Sequence, residues 1–243
     1  MKSITTLIRT FLGLVFFIGL SFSSSGQVWY LLTDGAWEDS TIWTLDAGVA
    51  PGPDNPLLEI PDANDTVIIR NGKTLTIPDT TDNVEVALMV VDGELDLTTS
   101  ENHDFGVIEG SGTIRMQGNG TVDNFPVGTT TGPNGFANAS NGGILVLEGT
   151  GFEFENDYTF NDVRLNLDNA TDEVELGSDL TINGNLTVRL GTLVFGDGTT
   201  VDRELTVYGD FIVENNSGSQ DGRVSTANAN ARHEFNLFGD FLN

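Results

Sequence analysis

The sequence predicts an all-β chain wound as a right-handed parallel β-helix behind an aromatic-rich amino-terminal cap. Three observations point there. Apolar and polar residues alternate in short runs broken by Gly, Asn and Asp, as in Leu75-Thr-Ile77, Leu95-Asp-Leu97 and Val163-Arg-Leu-Asn-Leu167, which is the period-2 signature of strands. A nine-residue unit recurs in Leu180-Thr-Ile-Asn-Gly-Asn-Leu-Thr-Val188, Leu205-Thr-Val-Tyr-Gly-Asp-Phe-Ile-Val213 and Phe235-Asn-Leu-Phe-Gly-Asp-Phe-Leu-Asn243. The starts of these units lie 25 and then 30 residues apart, a solenoid spacing rather than the 8–12 residues of sandwich strands. An antiparallel β-sandwich of hairpins is the alternative, since Asn-Gly and Gly-Asp also serve two-residue turns.

Residues 1–26 read as a secretory signal peptide: Lys2 and Arg9, the apolar run Phe11–Leu20, then small residues up to Gly26. Cleavage is expected before Gln27. The apolar run is too short to span a bilayer, so a secreted or cell-surface location without membrane insertion follows.

Residues 27–83 hold all three tryptophans, Trp29, Trp37 and Trp43, and a share of the prolines. A solenoid needs its first open edge covered, and this segment is expected to do so. Within it, Val67-Ile-Ile-Arg70, Asn71-Gly72 and Lys73-Thr-Leu-Thr-Ile77 suggest a hairpin. Residues 84–243 are expected to form about six or seven stacked coils sharing one apolar interior. In the repeat unit the first, third and seventh places are apolar, and the fifth is Gly184, Gly209 or Gly239; its parity points that glycine inward at a tight corner. The chain stops at Asn243 inside a unit, which suggests a piece of a longer protein.

Charge limits the partners. The chain carries 36 Asp+Glu against 10 Lys+Arg, a net charge of −26, which becomes −28 once Lys2 and Arg9 are removed with the leader. Such a surface repels nucleic acid and anionic membranes. With no cysteine, disulfides, thiol chemistry and cysteine-ligated metals are excluded.

Trp37-Glu-Asp-Ser-Thr-Ile-Trp43, Pro51-Gly-Pro53, Asp65-Thr-Val-Ile-Ile69, Gly72-Lys-Thr-Leu-Thr-Ile77 and Val91-Asp-Gly-Glu-Leu-Asp-Leu97 resemble the opening of large secreted surface proteins of Bacteroidota. That opening is similar to the eight-glycine domain of extracellular β-helical proteins. Gly110-Ser-Gly-Thr-Ile114, Tyr158-Thr-Phe-Asn-Asp-Val163 and Leu180–Leu186 resemble the glycine-rich bodies of the same proteins. The resemblance implies a β-helix exported as type IX secretion cargo, in a structural or adhesive role, and it supplies no catalytic motif. Asp39-Ser-Thr41, Asp65-Thr-Val67 and Asp79-Thr-Thr81 are similar to the O-glycosylation acceptor of that group, which would place sugar on Ser40, Thr66 and Thr80 in exposed cap loops.

Residues that could carry chemistry are few. A glycosidase on this scaffold needs two carboxylates on one face; the candidates are Glu153 with Glu155, and Asp172 with Glu173 and Glu175. Alternation sets Glu153 and Glu155 opposite Phe152 and Phe154, which is also how any solvated strand face looks. A polysaccharide lyase needs clustered cations, whereas Lys73 and seven arginines are spread along the mature chain. His103 and His233 have no second ligand at zinc spacing and read as loop or strand-edge residues. Calcium is the most credible ion, with the column Asn185, Asp210, Asp240 as its candidate ligands. The other reading of that column is turn residues bonding their own backbone. Trp29, Trp37 and Trp43 are candidates for stacking on sugar rings, or else they cap the core. The expected function is a non-catalytic structural or adhesive module, with extracellular polysaccharide or a surface protein as partner. A β-helical carbohydrate-active enzyme or a carbohydrate-binding module is the alternative.

Overall fold

The computed structural model describes residues 26–48, 58–118, 125–196, 198–214, 221–227 and 231–243. Residues 1–25 of the expected leader and the Pro51-Gly-Pro53 motif therefore lie outside the described residues. Strands dominate, and none of the described elements is an α-helix; the one helical turn is the 3-10 segment Ser40–Ile42. No helix of the described residues is long and apolar enough to cross a membrane.

The strands form a six-stranded, a twelve-stranded and a four-stranded sheet. The six-stranded sheet runs Val127–Thr129, Asp104–Glu109, Leu88–Val91, Thr66–Ile69, Val28–Leu31 and Trp43–Thr44. Its last pairing, Val28–Leu31 with Trp43–Thr44, is the only antiparallel strand pair among the described residues. Elsewhere each strand pairs in parallel with one from a later or earlier layer. The sandwich alternative is thereby excluded, and the mostly parallel sheets are compatible with a solenoid.

Parallel register follows from the alternation. Leu75, Leu95, Ile114, Leu145, Val163, Leu186 and Phe211 are successive Cα partners across the large sheet, and each is at most 2 % exposed. Each such burial is worth about 1.5–3 kcal/mol, and a slip of one residue would turn the whole column outward. The repeat units align as read: Leu180 pairs Leu205, which pairs Phe235, while Leu186 pairs Phe211, which pairs Phe241. Tyr158, in a looser relative of the unit, pairs Leu180. In the last layer two of the inward places, Phe235 and Phe241, are exposed.

Two expectations need correction. The Asn71-Gly72 turn closes with the Lys73 N–H donating to the Arg70 carbonyl at 3.0 Å, with Gly72 at φ +74°. It makes no hairpin, because Thr66–Ile69 and Thr74–Thr76 enter different sheets and pair in parallel with other strands. The turn is a corner, and it leaves Val67, Ile69, Leu75 and Ile77 all inside. The repeat glycine, likewise, does not point into the core. A Cβ on Gly209 would lie 2.5 Å from the Gly184 carbonyl oxygen and 2.6 Å from Asn185 Oδ1; one on Gly239 would lie 2.2 Å from the Gly209 oxygen. These glycines let consecutive corners stack backbone on backbone.

Gly209→Ala is expected to lower stability by about 1–3 kcal/mol, because the methyl group has only backbone to push against. Thr187→Ala, on the outer side of a neighbouring strand, should change it by less than about 0.5 kcal/mol. Urea unfolding midpoints of the two variants check this.

Candidate functional site

The expected cap tryptophans are core residues. Trp29, Trp37 and Trp43 are 1 %, 4 % and 1 % exposed, with Trp37 and Trp43 edge to face at 5.3 Å. Trp43 Nε1 donates to the Trp37 carbonyl at 3.1 Å and Trp29 Nε1 to Asp65 Oδ2 at 2.8 Å. No ring face is left for a sugar, so the stacking assignment is withdrawn. Buried Asp65 also accepts from the N–H groups of Gln27 and Asp62, which ties the first strand to the second layer.

The glycosylation candidates separate. Thr80 lies on an exposed turn. Ser40 opens the 3-10 turn capped by Asp39, whose carboxyl is held below its usual pKa by hydrogen bonds from the Thr41 hydroxyl and then the Thr41 N–H. Thr66 is no loop residue: it is half-buried in a strand between Val28 and Leu88.

The acidic candidates meet, although not as the sequence paired them. Gly151–Phe154 pairs with Glu173–Leu176, which sets Glu153 beside Glu175. Glu153, Asp172, Glu173 and Glu175 line one open groove of about 280 Å³. Glu155 lies outside its lining and is exposed. Asp172 is committed to its own turn, accepting from the N–H and the side-chain amide of Asn169 at 2.8 and 3.0 Å. The groove is a solvated acidic face, with Phe152 and Phe154 packed behind it.

The column expected to hold calcium does something else. Asp162 Oδ1 accepts the Asn185 N–H at 2.6 Å, Asn185 Oδ1 accepts the Asp210 N–H at 2.8 Å, and Asp210 Oδ1 accepts the Asp240 N–H at 3.0 Å. Each side chain caps the backbone of the next layer rather than its own. A second ladder, which the sequence reading missed, runs from Asp157 to the Asp179 N–H (3.2 Å) and from Asp179 to the Glu204 N–H (2.8 Å). Asn185 Oδ1 and Asp210 Oδ1 are thus used as backbone acceptors, and among the described residues no group of three His, Asp or Glu is placed to hold a metal ion.

His103 stands in the loop just before the strand Asp104–Glu109, as read, but it is buried, at 1 % exposed. The Val84 N–H donates to its Nδ1 at 3.2 Å, so the proton sits on Nε2, 2.9 Å from Ser100 Oγ. The ring stacks on Phe105 at 5.7 Å. Burial lowers its pKa to about 4, with Asp82 pulling weakly the other way. His233 Nδ1 accepts the Arg203 N–H at 3.3 Å, also a structural role.

Three of the arginines are brought together in space. Arg115 and Arg164 both pair, at the Cα level, with Val146 on the strand between them. Arg189 occupies the next strand, where Leu165 pairs Val188 and Asn166 pairs Leu190. It is the extra residue of a bulge, a device that re-aims a side chain. The three line one shallow groove of about 200 Å³ with Glu94, Thr113, Ile144, Val146, Glu148 and Asn166, so two carboxylates share it with the three guanidinium groups. Arg115 is fixed by Glu148 at 2.8 Å and Glu94 at 3.2 Å. Burial works against its charge, but the hydrogen bonds to Glu148 and Glu94 outweigh this and raise its pKa. A signal was present in sequence: Ile114-Arg-Met116, Val163-Arg-Leu165 and Val188-Arg-Leu190 each set an arginine outward between apolar neighbours. Comparison with known proteins gives no match to a family model, a curated protein or a solved structure.

Two outcomes follow. Asp210→Asn keeps an acceptor and should leave stability unchanged or raised, while Asp210→Ala should cost about 0.5–1.5 kcal/mol; neither melting temperature should differ between calcium and EDTA. For His103 the unfolded ring titrates at about 6.5 and the folded one at about 4. The unfolded state therefore binds the extra proton between those values, and stability is full above pH 6.5 and falls towards pH 4. The loss on going from pH 7 to 4.5 should be smaller in His103→Gln by on the order of 2 kcal/mol, read from denaturant midpoints at each pH.

Proposed function

We propose that the chain winds as a right-handed parallel β-helix and serves as a non-catalytic structural or adhesive module of an exported surface protein. The observation that carries this reading is the in-register stacking from Leu75 to Phe211. It is reinforced by corner ladders in which side chains serve the next layer's backbone. Acidic and polar side chains along these corners are thus used to build length. Stability that accrues layer by layer suits a stalk or spacer, and a net charge of −26 keeps such a surface hydrated. The expected amino-terminal region supports the same reading, because the antiparallel strand Trp43–Thr44 covers the first edge of its sheet. In this proposal the signal peptide is removed before Gln27.

An enzyme is the second reading, and the groove of Glu153, Asp172, Glu173 and Glu175 is where it would reside. Incubation with a panel of neutral and acidic polysaccharides, with reducing ends and unsaturated products assayed, decides between them. No product is expected. Product formation that disappears in Glu153→Gln or Glu175→Gln would replace the structural reading with a catalytic one.

A further inference from the structure

We propose that the arginine groove on the outer face of the large sheet binds the carboxylate of an acidic sugar, as in a uronate-containing polysaccharide. The proposal deepens the adhesive reading above by giving it a ligand class and a place. Arg164 is the centre. It is exposed on the strand Asp162–Asn166 and makes no ion pair among the described residues. Its neighbours are already committed: Arg115 to Glu94 and Glu148, and Arg189 to Glu214 at 3.4 Å. The carboxylates that could have neutralised Arg164 are thus held by other cations.

Its surroundings describe the rest of the ligand. Val146 faces outward between Arg115 and Arg164 yet is 6 % exposed, as expected where arginine stems lie along an apolar side chain. Half-buried Ile144 in the same groove is the apolar surface left for the C–H face of a pyranose ring. Asn166 is oriented by Glu148, whose Oε1 accepts its amide at 3.1 Å while also accepting from Arg115. That leaves the amide oxygen for a hydroxyl. One uncommitted guanidinium calls for one carboxylate per binding unit, and its planar fork suits bidentate capture. A phosphate brings no C–H face for Ile144 and no ring hydroxyl for Asn166, and a nucleic acid meets the repulsion of a chain of net charge −26. Repulsion from the rest of the surface is screened beyond roughly 8–10 Å at ordinary salt, so a short acidic saccharide meets mainly the local arginine.

The test is calorimetric titration of the full mature chain with trigalacturonate in EDTA at 0.15 M salt, against maltotriose and triglutamate. Trigalacturonate should bind, with maltotriose and triglutamate at least tenfold weaker. Arg164→Gln should weaken trigalacturonate at least tenfold and Arg164→Lys less, with melting temperatures unchanged; Arg223→Gln, on an exposed strand elsewhere, should bind as the parent does. Absence of trigalacturonate binding, equal affinity for maltotriose, or full affinity in Arg164→Gln would overturn the proposal. Triglutamate binding as tightly as the sugar would overturn it in favour of an acidic protein partner. None of these failures removes the structural reading, which falls only if glycan cleavage is found.

Discussion

Every layer of this molecule depends on a backbone that can be satisfied only by another layer in register. A parallel strand cannot bond within itself, and the corners between sheets are where regular pairing lapses and N–H groups stand to be orphaned. The chain meets that demand with short acceptors placed at the corners, Asp157, Asp162, Asp179, Asn185 and Asp210, each reaching one strand along. Glycines 184, 209 and 239 complete the device, since any side chain there would hold the corners apart. Polar ladders outside and the column from Leu75 to Phe211 inside impose the same register, and agreement between the two levels is what makes one alignment win.

That division of labour determines which face is free to interact. The inner face is packed, and the corners are committed to backbone. What remains is the outward places of the strands, whose residues are constrained by neither. On the large sheet those places collect arginines 115, 164 and 189; around Glu153 and Glu175 they collect carboxylates. Parallel strands stacked in register therefore concentrate chemistry by column: residues far apart in the chain but equal in phase become neighbours.

Phase explains how much could be read in advance. The repeat units were legible because inward apolar residues and glycines recur at fixed offsets, and the structure pairs Leu180 with Leu205 and Phe235 as that pattern requires. The pairing partners of the earlier strands were not, since Asn71-Gly72 is the same dipeptide whether it closes a hairpin or turns a corner. Only the competition between local and layered pairing decides, and all four apolar residues around it are buried in the layered form. The function of Asp210 was hidden for a similar reason: a turn aspartate looks alike whether it bonds its own loop or the next. His103 is the loop residue that Ser100-Glu-Asn-His-Asp-Phe105 suggests, but its burial was hidden, because Ser100 and the Val84 N–H, which supply the two partners a neutral buried ring needs, meet it only in the fold. The arginine groove needed the register itself, including the bulge that brings Arg189 into line.

The corner ladders also have a direction. In both, the acceptor belongs to the earlier segment and the donor to the later one: Asp157 before Asp179 before Glu204, and Asp162 before Asn185 before Asp210 before Asp240. Whichever segment comes first along the chain thus offers side-chain acceptors to the corner that follows, while its own N–H groups at Val163, Leu186 and Phe211 are met only by the later carbonyls of Asn185, Asp210 and Asp240, so each corner is completed from both sides.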